Sequence, residues 1–84
     1  MEPDQINDIL TQKLTDCKVY VEGDGRHFEA IIIGDIFQNK SRIERQRLVY
    51  SVLDDYLKSG ALHAITLKTY TPAQWQELKH TGGC

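Results

Sequence analysis

At 84 residues, with 40% hydrophobic and 26% charged side chains, the chain has a globular composition and room for one modest core, which excludes a deep cleft between lobes. Ten Lys and Arg against twelve Asp and Glu leave a formal net charge of −2, so no global positive field draws it towards phosphates or anionic lipids. No apolar run approaches the roughly 20 residues of a membrane span, and MEPDQIND carries acids where a secretory leader needs a basic start and an apolar stretch; the cytoplasm is the expected compartment, with no membrane partner.

In chain order, Ile6, Ile9, Leu10 and Leu14 recur at the spacing of one helical face behind Pro3, which predicts a helix over roughly Asp4 to Thr15. KVYVE then alternates Val19 and Val21 against Tyr20 and Glu22, and HFEAIIIG resumes as a second β-branched run closed by Gly34. With Asp24-Gly25 between them, these segments predict a β-hairpin. Ser41 and Glu44 have the spacing of a capping box. The long helix they open has a broad apolar face of Ile43, Val49, Tyr50, Val52, Leu53, Tyr56 and Leu57, with Lys58 in its last turn and Gly60 as a left-handed stop.

A third strand, AITLKTY, sets Ile65 and Leu67 against Thr66 and Lys68. Thr71-Pro72-Ala73-Gln74 follows with an N-cap, a first-turn proline and a second capping box, predicting a short helix that carries Trp75 and Leu78 and ends near His80. The expected organisation is one domain over residues 1–80 and a short flexible tail over 81–84. A helical crossover favours parallel, right-handed pairing of the second and third strands. The α-β-β-α-β-α order thus predicts an α+β domain, a three-stranded mixed sheet with helices on one face.

Cys17 and Cys84 are too few and too far apart for a disulfide framework or a zinc knuckle, so both are expected to stay reduced. Nothing matches a nucleophile elbow, a P-loop, a zinc triad or a dinucleotide fingerprint, and catalysis is not expected.

The hairpin VYVEGDGRHFEAIIIGDIF, the helix KSRIERQRLVYSVLDDYL and above all LHAITLKTYTPAQW resemble BolA-like proteins across nearly the whole chain. The short loop EGDGRHF is most similar to that of the bacterial IbaG subgroup. The resemblance implies a fold like the class II KH domain and a partnership with monothiol glutaredoxins. It also implies a two-iron two-sulfur cluster shared with that partner, which supplies glutathione. The family's hallmark histidine falls on His63 in Leu62-His63-Ala64 and is thereby implied to be a cluster ligand.

A second family ligand comes from the hairpin loop as a His or a Cys, and here the chain departs from the pattern. Asp24 stands about where some members place the Cys, and a carboxylate is a hard partner for sulfur-bridged iron. His27, directly before Phe28, is the loop's imidazole and the second metal candidate; the other reading is a ring that packs across the hairpin. Parallel pairing of strands two and three would set His27 and His63 at the same end of the sheet. The implied function is a non-enzymatic adaptor in iron–sulfur cluster trafficking or in iron and stress regulation.

Lys40, Arg42, Arg45 and Arg47 make the one dense basic stretch. They read either as a solvated helix start offset by Glu44, Asp54 and Asp55 or as a face for nucleic acid or glutathione. The KH-like fold makes a nucleic-acid-binding regulator the alternative function. KH domains, however, clamp the backbone with a GxxG loop, and this chain has Asn39-Lys40-Ser41-Arg42 there. Binding to nucleic acid is therefore expected to be weak and salt-sensitive, and the free chain to be a monomer or a weak homodimer.

Overall fold

The computed structural model describes residues 2–24 and 26–82, with side chains as far as Lys79. Gly25, Cys84 and the side chain of His80, which the sequence reading places in the turn, the tail and solvent, lie outside that range. The elements are α1 (Pro3–Lys13), β1 (Lys18–Gly23), β2 (His27–Ile33), a 3₁₀ turn (Asp35–Phe37), α2 (Arg42–Ser59), β3 (Ala64–Tyr70) and α3 (Pro72–Gly82).

Local chemistry sets most of the boundaries. In the Ser41 box, Glu44 N–H donates to Ser41 Oγ at 3.2 Å and Ser41 N–H donates to the Glu44 carboxylate at 3.0 Å. Thr71 and Gln74 make the same reciprocal pair before α3, at 3.2 and 2.9 Å. A third box, Glu2 with Gln5, starts α1; an acid at the N-cap is less distinctive in sequence than Ser or Thr. Gly60 closes α2 at φ 83°, a conformation that costs other L-residues strain. After α1, Asp16 turns the chain at φ 63°, and the helix ends before Thr15.

The strand order is β1-β2-β3. β1 and β2 pair antiparallel from Lys18↔Ile33 to Gly23↔Phe28, while β2 and β3 pair parallel from His27↔Ala64 to Ile33↔Tyr70. Ile6, Leu10 and Leu14 of the α1 segment and Val49 and Leu53 of α2 bury one face, against Phe28, Ala30, Ile32 and Leu67. Phe37, from the 3₁₀ turn, is fully buried in the same core.

Two positions assigned to the apolar face of α2 lie outside it. Ile43 is 65% exposed and Tyr50 is 36% exposed; the Tyr50 hydroxyl reaches over the outer edge of β3 and donates to the Ile65 carbonyl at 3.3 Å.

α1 and α2 thus share a face, and α3 turns to the other side of the sheet. The Trp75 ring lies 6.3 Å from Tyr20 and 5.5 Å from Tyr70. Those tyrosines pair with Ile31 and Ile33, the register positions that alternate with the core residues of β2. Among the described residues no helix is long and apolar enough to cross a membrane.

Candidate functional site

The parallel pairing brings the two candidate histidines to one end of the sheet. His27 opens β2 opposite Ala64, and His63 is the residue before Ala64. With strands about 4.8 Å apart and a rise of about 3.3 Å per residue, their Cα atoms are roughly 6 Å apart. Both side chains are exposed at this end of the sheet.

The backbone on each side is pinned. One Asp24 carboxylate oxygen accepts from the N–H groups of both Arg26 and His27 at 2.9 Å, and Asp24 N–H donates to the His27 carbonyl at 3.2 Å. The N–H of His27, then that of Arg26, holds this carboxyl below its ordinary range. Asp24 therefore fastens the loop and aims His27. Asp24-Gly25 predicts the turn, and the structure adds that the Asp24 side chain itself closes it as an Asx turn. On the other side Leu62 is 1% exposed and its N–H donates to the Tyr56 carbonyl at 3.0 Å, which anchors the residue before His63.

Among the described residues no group of three or more His, Cys, Asp or Glu side chains is arranged to hold a metal ion. Cys17 precedes β1 and lies beside Gly34, at the opposite end of the sheet. It is a free, half-buried thiol. Burial first, then Asp16 and Asp35, pushes its pKa up, which keeps it protonated and a poor ligand.

The basic stretch is divided. Lys40, Arg42 and Arg45 line an open cavity of about 850 Å³ between α2, the outer edge of β3 and α3. Arg45 is committed within it: Nε donates to the Lys40 carbonyl at 3.1 Å, and Nη1 donates to Gln74 Oε1 at 2.8 Å and to the Thr69 carbonyl at 3.4 Å. Its guanidinium also sits 5.9 Å over the Phe37 ring. Arg47 does not line this cavity; its charge, with that of Lys40, helps the Ser41 hydrogen bonds hold the Glu44 carboxyl down.

A fold of this element order and sheet topology is that of a known family of small α+β proteins. The family model described as "BolA-like protein" matches residues 7–74, and the chain belongs to the BolA-like family. It is 37% identical over 83 residues to the acid stress protein IbaG of Escherichia coli K12, covering 99% of each chain. Among solved structures it is similar to a bolA protein homologue from Coxiella burnetii, with TM-score 0.82, 35% identity, and 90% of this chain and 97% of that one covered. The BolA domain of SufE1 from Arabidopsis thaliana gives TM-score 0.74 and 36% identity, over 84% and 92% of the two chains.

Proposed function

We propose that the chain is a non-enzymatic adaptor that binds a monothiol glutaredoxin and contributes His63, with His27 beside it, to a two-iron two-sulfur cluster shared by the two proteins. The observation that carries this reading is the placement of two exposed imidazoles at one end of the sheet, with no third donor grouped with them among the described residues. Such a pair suits a site completed from outside. Imidazole nitrogen replaces thiolate on one iron of some two-iron clusters, and the neutral ring is the metal-binding form.

The donor set fits the group. The carboxylate that would compete, Asp24, is turned to backbone N–H groups. The bound cluster would supply the iron and sulfide to be transferred or sensed, with the partner bringing thiolates, glutathione's included. This chain's own contribution is to hold the backbone of the two histidines at a fixed spacing, through the Asp24 fastening on one side and the Leu62–Tyr56 bond on the other. The cytoplasm is the compartment such a role requires, and the name of the E. coli relative supports a stress-related setting.

The nucleic-acid alternative draws on Lys40, Arg42 and Arg45, which line one cavity. Arg45 is already engaged there, Arg47 lies apart, and the net charge of −2 leaves little counterion release to drive association.

Co-expression with a monothiol glutaredoxin, followed by visible absorption and circular dichroism, tests the proposal. The pair should co-purify with a cluster spectrum, His63→Ala should abolish or sharply alter it while the chain stays folded, and His27→Ala should change it less. An unchanged spectrum in His63→Ala would overturn the ligand assignment.

A further inference from the structure

We propose that the outer edge of β3 accepts an extended acidic peptide as a fourth strand of the sheet. β3 pairs with β2 on one side only. The carbonyls of Ile65 and Thr69 point away from β2, since they accept from Tyr50 and Arg45 of α2. The Tyr70 carbonyl points the other way and accepts from Gly34 N–H just past β2, at 3.0 Å.

Backbone direction alternates along a strand, so the N–H and C=O of Leu67 face outward with those of Ile65 and Thr69. Among the described residues no side chain and no backbone group outside the ladder bonds to them. An edge strand with a free amide and carbonyl, and with no proline or bulge to blunt it, is a template for an added strand. The bonds that cap its flanks, at 3.3 and 3.4 Å, are longer than the usual range and weak enough to yield.

The walls of the groove say what the strand should carry. On the α2 side stand Lys40, Arg42 and Arg45, and neither Lys40 nor Arg42 makes an ion pair among the described residues. On the α3 side stand Leu78, 47% exposed, and Glu77, whose charge keeps the acidic residues of an added strand on the α2 side. Side chains of an added strand alternate between these walls, so the matching sequence alternates acidic with apolar residues.

A nucleic-acid strand fits less well. Its phosphates cannot donate to the Leu67 carbonyl, and its bases seek a free aromatic face, whereas Tyr70, the aromatic ring of this groove, is already packed by Trp75. The groove begins at Leu67, roughly 10 Å along β3 from Ala64, and does not depend on the imidazoles at that end.

The test is fluorescence anisotropy with a labelled peptide of about ten residues alternating Glu and Val, a length typical of one strand. It should bind, weaken as salt is added, and lose about tenfold in affinity to a Lys40→Glu, Arg42→Glu variant. Two further peptides, N-methylated on all Glu or on all Val residues, keep the charge but block one hydrogen-bonding edge each. One should bind like the parent and the other about tenfold more weakly. Amide resonances of Leu67 and Thr69 should shift on binding. Equal affinity for all three peptides, shifts confined to the His27 and His63 end, or tighter binding of an oligothymidylate than of the peptide would each overturn the proposal.

Discussion

Replacing Gly23 by Ala probes the packing of the hairpin at the point where it delivers His27. A Cβ there would collide with Cδ1 of Phe28 and stand 2.7 Å from the carbonyl oxygen of His27 and 3.0 Å from Cε1 of Phe28. The ring cannot swing into solvent, because Phe28 is 4% exposed within the core, and the carbonyl is backbone. Overpacking of this kind costs about 1–3 kcal/mol. In a domain of this size each kcal/mol lowers Tm by about 4–8 °C, so thermal unfolding followed by far-UV circular dichroism should shift down by about 4–24 °C.

Gly60→Ala is the matched comparison. Nothing lies within 4 Å of the added Cβ, and its cost is that of the φ of +83° alone, about 1–2 kcal/mol. Asn tolerates that region, so Gly60→Asn should recover part of the loss, whereas Gly23→Asn should recover none. A Gly23→Ala protein that melts with the parent would show that ring and loop relax at no cost, refuting the claim that close packing fixes the head of β2.

Three further outcomes follow from the same contacts. Backbone N–H groups, of His27 and Arg26 in one case and Ser41 in the other, hold the Asp24 and Glu44 carboxyls below their ordinary values of 3.8 and 4.5. Depressed folded values give stability that is complete above the ordinary ones and lost as pH falls through the folded ones; Tm against pH should therefore decline below about pH 4, and Glu44→Gln should flatten part of that slope. Thr71→Ala removes the acceptor for Gln74 N–H and should loosen α3 by about 0.5–2 kcal/mol, read as faster amide exchange along that helix, with Thr71→Ser keeping most of the protection. Gly34→Ala sets a Cβ against the Cys17 thiol and should destabilise by about 1–3 kcal/mol; adding Cys17→Ala should restore most of the Tm, a non-additivity expected of touching residues.

The element order was legible because its signals are local. The Ser41 and Thr71 boxes, the glycine stop at residue 60 and the period-two runs of the strands each act within a few residues, and the structure realises all of them. Parallel pairing of β2 and β3 follows from the crossover helix, and with it the meeting of His27 and His63 at one end. What the sequence hid depends on contacts distant along the chain. Phe37 reads as part of a loop, yet the 3₁₀ turn drives it into the core. Arg45 reads as one cation of a patch, yet its bond to Gln74, 29 residues on, turns it into a brace between α2 and α3. Tyr50 has the right helical phase for the core and leaves it for a carbonyl on β3.

The position of Trp75 has a practical consequence for anyone who follows this protein by light. It is the chain's single tryptophan, held between Tyr20 and Tyr70 on a helix whose described side chains contribute nothing to the main core. Each aromatic pair is worth about 0.5–1.5 kcal/mol, well short of the 5–15 kcal/mol typical of a whole domain's stability, so α3 can lift from the sheet while the sheet stays formed. Intrinsic emission then reports the undocking of one helix, and a fluorescence melt that runs ahead of the far-UV signal marks local opening and not a partly folded intermediate of the domain.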